Sequence, residues 1–162
     1  MAHIFIGIGS SINRGENIRE GVLILKTYFS DLQLSTVYES EAVGFDGGNF
    51  YNLVAEFNSD LSVKEVITIL KRIEVQLGRP EKAIKYAPRT LDLDLLLYDQ
   101  KVDSNNDLPR AEITKNAFVL QPLAELAPTL KHPILTISYQ QLWSQYPKNK
   151  QKLWEVTTPI FD

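Results

Sequence analysis

The segment from Ala87 to Asp99, APRTLDLDLLLYD, sets two aspartates two residues apart inside a run of leucines, and few folds can accommodate that. A proline before the run and polar residues after it hold it to strand length, so a β-strand suits it better than a short helix. Side chains alternate along a strand, so Thr90, Asp92, Asp94 and Leu96 point one way while Leu91, Leu93, Leu95 and Leu97 point the other. The fold must therefore offer an apolar layer to the leucines. On the opposite face it must tolerate two carboxylates roughly 6–7 Å apart. A wet face of an antiparallel strand would do so. Asp is a poor strand former, however, and a pair on one face favours a divalent-metal site, whose all-oxygen ligands suit Mg²⁺ or Ca²⁺ better than zinc.

The rest of the chain supplies the apolar layer. His3 to Gly9 is a near-continuous apolar run, which predicts a well-buried strand. Ile18, Val22, Leu25 and Phe29 then recur at helical spacing and predict an amphipathic helix from Gly15 to about Phe29. Leu32 to Ser40 and Phe50 to Asn58 read as two further strands, separated by the glycine-containing loop Ala42 to Gly48; Phe50, Asn52, Val54 and Glu56 share one face of the second. Ser62 and Glu65 form a capping box, Val63, Val66, Ile67, Leu70, Ile73 and Leu77 form the stripe of a second helix, and Gly78 closes it. The order strand, helix, strand, strand, helix, strand predicts a ferredoxin-like α+β domain, an antiparallel sheet with both helices on one face. Extra C-terminal helices are expected around Phe118 to Leu126 and Ser138 to Tyr146, followed by a tail. At 162 residues, 44% apolar and 23% charged, residues 1–162 are expected to form a single domain with a core of its own. The open face of the sheet is where a ligand or further elements must sit.

Several function classes are disfavoured. Without cysteine there are no disulfides, thiolate metal sites or thiol catalysis. The formal charge of −3 gives no global attraction to nucleic acid or to an anionic membrane, and an RNA-binding sheet would want basic and aromatic residues where Asp92 and Asp94 stand. His3 and His132 read as structural or solvated side chains. The opening MAHIFIGIGSS has too short an apolar run and no basic start for a signal peptide, and no segment could span a bilayer, so a cytoplasmic location is expected.

The segment ahead of the acids is basic: Arg79, Lys82, Lys85 and Arg89 against a single Glu81. Carboxylates that hold Mg²⁺ beside Arg and Lys are what a triphosphate requires, because cations balance the charge that develops during transfer. Taken singly, each lysine is better explained by solvation, whereas Arg89, three residues from Asp92, fits the functional reading better. Lys71 and Glu74 flank the stripe of the second helix, where they could reach a ligand or form a surface pair. GIGSS at Gly7 to Ser11 is only a weak match to a phosphate-cradling turn, and a tight strand-to-helix turn explains it.

Taken together, IGIGSS, FYNLVAEF, RIEVQLGR, APRTLDLDLLLYD and NAFVLQPLAELAP, in this order and spacing, resemble the 6-hydroxymethyl-7,8-dihydropterin pyrophosphokinase family over almost the whole chain. The resemblance implies transfer of pyrophosphate from MgATP to the pterin hydroxymethyl group, giving AMP and the pterin diphosphate for folate biosynthesis. It implies that Asp92 and Asp94 bind two Mg²⁺ ions and that Arg79 and Arg89 act in catalysis by stabilising the transferring group. It implies a pterin sandwiched between Phe50 and Phe118, held at its edge by Asn52 and by groups at Ser40 and Val43. Lys71, Glu74, Lys82, Tyr86, Leu95 and Arg110 would line the nucleotide side. The implied partners are small molecules, pterin and ATP, with neither nucleic acid nor membrane.

Some positions depart from the family pattern. Tyr86 stands where tryptophan is usual, Glu81 where the loop carries an arginine, and Lys71 where a glutamine is common. The Gly-Ser-Asn turn is Gly9-Ser10-Ser11, and Ser40-Glu41 replaces threonine-proline. Pro109-Arg110 replaces Pro-His, Ala111 an aromatic, and Asn116 an arginine. Most of these lie on the nucleotide side. The alternative is therefore a paralogue that binds a pterin with weak or no ATP-dependent transfer.

Overall fold

A computed structural model describes residues 1–41, 49–78 and 90–161. Its strands are β1 (Ala2–Ser10), β2 (Gln33–Leu34), β3 (Tyr38–Ser40), β4 (Phe50–Ser59), β5 (Asp92–Tyr98) and β6 (Leu153–Glu155). Its helices are α1 (Arg14–Tyr28), α2 (Val63–Gln76), α3 (Ala117–Leu126) and α4 (Tyr139–Gln145), with short 3₁₀ turns at Ser104–Asn106 and Ala111–Thr114. The sheet runs β5-β1-β4-β3-β6, with β2 also on β4, and every pairing is antiparallel. This is the expected α+β core with additions. Among the described residues no helix is long and apolar enough to cross a membrane.

Alternation along β1 divides the molecule. Ile4, Ile6 and Ile8 enter a first core with Val22 and Leu25 of α1, Leu70 and Ile73 of α2, and Leu91, Leu93 and Leu95. Phe5 faces the other way, into a second core with Val54, Leu96 and the α3 residues Ala117, Leu120 and Leu123. The face expected to be open is therefore half covered by α3, on which α4 packs. α2 begins with the capping box, Ser62 accepting from the Glu65 N–H at 3.2 Å and Glu65 from the Ser62 N–H at 3.0 Å. Gly78, at φ +100°, closes it in a conformation that a side chain would strain.

Three expectations need correction. The strand expected over Leu32 to Ser40 is broken, because Leu34 pairs with Ala55 and Tyr38 with Asn52, so four steps on one strand oppose three on the other. That is a bulge. Its extra residue is satisfied elsewhere, the Thr36 N–H and hydroxyl both donating to Glu125 of α3, at 2.8 and 3.0 Å. A second irregularity lies between β1 and β5, at Phe5/Ile6 opposite Leu95 and Leu97. It turns Leu97 into the second core beside Phe5, not into the first with the other odd-numbered leucines. Third, the tail contains a strand: β6 adds to the sheet edge, pairing Glu39 with Trp154.

Candidate active site

The uncovered half of the second face forms a cleft of about 300 Å³. Its floor follows from strand register. Gly9 of β1 sits between Asn52 of β4 and Asp92 of β5, and Gly7 sits between Val54 and Asp94. Each row spans three strands, so Asn52 and Asp92 are separated by about 9–10 Å, with no side chain on the residue between them. The result is a flat trough, amide at one side and carboxylates at the other. An added Cβ at Gly9 would lie 2.7 Å from Asn52 Oδ1, so any side chain there would displace that amide. The GIGSS segment is thus strand and cleft floor through Ser10, not a tight turn; the chain reverses after it, at Asn13 with φ 42°.

The walls come from other elements. Phe50 rises from β4, Phe118 and Val119 from α3, Asn116 and Glu112 from the segment before it, and Ser40 and Glu41 close the far end. Asn52 is buried and donates through Nδ2 to Ser40 Oγ at 3.2 Å, which leaves Oδ1 over the floor glycine. The two phenylalanines, a fixed amide and a Cβ-free floor suit a flat heterocycle with a polar edge.

At the other side of the trough Asp92 and Asp94 are half-buried on one face of β5, as alternation predicts. The Arg110 N–H donates to the Leu96 carbonyl at 3.0 Å, which runs this residue along the outer edge of β5 and brings its guanidinium to Asp94, Nη2 to Oδ1 3.4 Å. Glu112 at 3.3 Å and Asp107 at 3.8 Å hold the same side chain. Burial works against the Arg110 charge, but Asp94, Glu112 and Asp107 outweigh it and hold the guanidinium above its ordinary pKa. The donor set fits Mg²⁺. Two carboxylates face the cleft, and among the described residues no group of three or more His, Cys, Asp or Glu could hold a metal by itself, so further coordination would fall to water and phosphate, as is usual for this ion.

The expected site residues are not all brought together. Ser40, Phe50, Asn52, Asp92, Asp94 and Phe118 line one cleft. The Leu95 side chain lies in the first core, on the far side of the sheet from the acids. Lys71 is exposed on α2 and does not line the cleft. Glu74 is buried, not exposed, and its Oε2 accepts the Leu93 N–H at 2.8 Å, holding the edge of β5 in place. Val43, Arg79, Lys82, Tyr86 and Arg89 lie outside the described residues. Sequence reasoning missed Gly7 and Gly9 as floor, although their alternation with Ile6 and Ile8 was available to find them. It had no signal for Glu112. The histidines are structural, His3 paired with Glu56 at 2.9 Å and His132 buried.

A half-covered antiparallel sheet whose open half sets an acid pair opposite an aromatic and amide pocket suits a small transferase that brings a flat substrate to a charged donor. The family profile described as 7,8-dihydro-6-hydroxymethylpterin-pyrophosphokinase (HPPK) matches residues 5–128. The chain is 36% identical over 138 residues to the 2-amino-4-hydroxy-6-hydroxymethyldihydropteridine pyrophosphokinase of Aquifex aeolicus, covering 83% of this chain and 86% of that protein. It is 32% identical over 128 residues to the protein of the same name in Bacillus subtilis, covering 75% and 76%. The chain belongs to the 7,8-dihydro-6-hydroxymethylpterin-pyrophosphokinase family, and it is an ATP-dependent pyrophosphokinase of folate biosynthesis. The wild-type HPPK-DHPS of Plasmodium falciparum shares the fold at a TM-score of 0.70 with 13% identity; the match covers 90% of this chain and 41% of that one, so the chain spans less than half of that longer protein.

Proposed function

We propose that the cleft carries out the reaction as follows, with residues 1–162 as a single catalytic domain and the cytoplasm as its place of action. The 6-hydroxymethyl-7,8-dihydropterin ring lies on the Gly7 and Gly9 floor between Phe50 and Phe118. Asn52 reads its polar edge through the free Oδ1, and groups at Ser40 and Val43 complete that edge. The ring's hydroxymethyl arm then extends across the trough toward the acids.

Asp92 and Asp94 would hold two Mg²⁺ ions, which supply charge neutralisation for the ATP phosphates. The hydroxymethyl oxygen attacks the β-phosphorus in line, its bond to that phosphorus forms as the bond to the α-phosphate oxygen breaks, AMP leaves, and the hydroxyl proton passes to solvent. Arg79 and Arg89 stabilise the transferring group, while Lys82 and Tyr86 line the nucleotide side. Arg110, already on Asp94, belongs to the phosphate end. No side chain of the cleft is needed as a strong base, because positioning and electrostatics carry most of such a transfer.

The observation that supports this reading above all is the register that puts Asn52, Gly9 and Asp92 in one row across three strands. Pure protein with Mg²⁺, ATP and the reduced pterin alcohol should release AMP and form the pterin diphosphate. AMP at the level of a protein-free control would sink it.

A further inference from the structure

The C-terminal segment reaches back to the start of α3. Gln151 accepts the Ala117 N–H through Oε1 at 2.8 Å and donates through Nε2 to Asn116 Oδ1 at 2.8 Å. Tyr146 donates its hydroxyl to the Lys115 carbonyl at 2.8 Å. Both clips come from beyond residue 128, where the family match ends.

The bonds have a logic of their own. Ala117 is the first residue of α3, and its N–H is one of the donors a helix cannot satisfy internally. Asn116 occupies the N-cap position with suitable backbone angles, φ −116° and ψ 123°, and asparagine is among the best capping residues. Yet its side chain makes no cap bond. Gln151 does the capping instead, and the consequence reaches the cleft. Because Oε1 of Gln151 takes a backbone N–H, its Nε2 must point at Asn116, and a donor there obliges Asn116 to present its oxygen. The Asn116 NH₂ is then turned away from Gln151, on a residue that lines the cleft. It makes no hydrogen bond among the described residues.

We infer that Gln151 is a positioning residue for substrate binding: it fixes the Asn116 side chain as a hydrogen-bond donor toward the pterin end of the cleft and anchors the turn that carries Phe118. The pterin end is indicated by the surroundings of Gln151, which borders Ser40, Glu41 and Phe118. The matching group is an acceptor, a ring nitrogen or carbonyl oxygen of the heterocycle. This rests on the proposed pterin site. A backbone amide, through two side-chain amides, thereby sets which polarity the cleft offers.

Gln151→Glu separates the two roles. A carboxylate still accepts the Ala117 N–H, but it cannot donate to Asn116, whose amide then flips and offers its oxygen to the cleft. The expected result is unchanged thermal stability, preserved hydrogen-exchange protection of the Ala117 amide, an unchanged KM for ATP, and affinity for the reduced pterin alcohol lower by about tenfold, the worth of one hydrogen bond reversed. Gln151→Ala should lose the Ala117 protection as well. Pterin affinity is read by calorimetry without ATP, so it is measured whether or not the wild type turns over. Wild-type pterin affinity in Gln151→Glu, or equal losses for pterin and ATP, would overturn the inference. Absence of AMP formation by a wild type that binds pterin would instead count against the proposed transfer. An Ala117 amide as protected in Gln151→Ala as in the wild type would remove the capping role.

Discussion

The two faces of one sheet show how a single strand serves stability and chemistry at once. On the α1/α2 face β1 gives the fully or nearly fully buried Ile4, Ile6 and Ile8 together with Ala2, and the layer runs on through Phe29 and Phe57, whose rings stack at 3.9 Å. On the α3 face β1 gives His3 and Phe5, whose rings lie 4.6 Å apart, and then only glycine. The cover stops where the side chains stop, so the first face is interior throughout and the second is interior only in part. The fold is thus held chiefly by the α1/α2 face, which leaves much of the cleft lining free to be polar.

If the division holds, Phe57→Ala should destabilise the protein by about 3–5 kcal/mol, the cost of an emptied aromatic site, with activity per folded molecule retained. Chemical denaturation combined with AMP release measures both, and a loss of activity exceeding the loss of folded protein would break the contrast. Asp94→Ala should do the reverse, lowering turnover about a hundred- to a thousandfold while the melting temperature stays put. Arg110 keeps Glu112 and Asp107 as partners in that variant, so its guanidinium is not stranded. Turnover at the wild-type level would remove Asp94 from the chemistry.

Gly9→Ala sharpens the boundary between the faces. Its Cβ would press on Asn52 Oδ1, and reduced-pterin affinity should fall by about 1–3 kcal/mol, the cost of leaving a buried polar group without its hydrogen bond. Calorimetry reads this, and an unchanged affinity would mean that the amide and the floor play no part in binding. The smallest effect lies away from both faces, at His132. Its Nδ1 accepts the N–H groups of Ile134 and Leu135 at 3.2 and 3.1 Å, and burial holds its pKa below the ordinary histidine value. The unfolded chain therefore takes up the proton first. The stability that His132 contributes is complete above the unfolded pKa of about 6.5 and is lost as pH falls through the lower folded value. His132→Asn, which can accept the same N–H groups without titrating, should flatten the fall in stability between neutral and mildly acidic pH by about 1 kcal/mol. Parallel slopes for the two proteins in urea unfolding would exclude that role.

The repeating patterns were the legible part of this molecule. Period-two alternation placed Asp92 with Asp94 and Phe50 with Asn52, while the Ser62 and Glu65 capping box and Gly78 bounded α2 closely, because each of these is decided by neighbours in sequence. What alternation cannot anticipate is an extra residue. The bulge in the strand after α1 and the irregularity opposite Phe5 changed faces at Leu97 and split one expected strand into two, and both are set by partners distant in sequence. β6 was hidden for a related reason, since three residues carry too little pattern and owe their strand form to the β3 edge. In the site, Glu74 and Leu95 show what the resemblance could not convey: the Glu74 carboxylate also accepts a backbone N–H of β5, and the Leu95 side chain also packs in the first core.

The bare floor of the cleft also bears on drug escape. A compound lying flat across Gly7 and Gly9 rests on backbone, and the smallest side chain gained there by mutation would obstruct the natural ligand together with the intruder. Under the proposed placement a change at Phe118 or Asn116 would cost the natural ligand contacts as well, so a tight inhibitor should draw its affinity from the floor and reach little beyond the outline of that ligand.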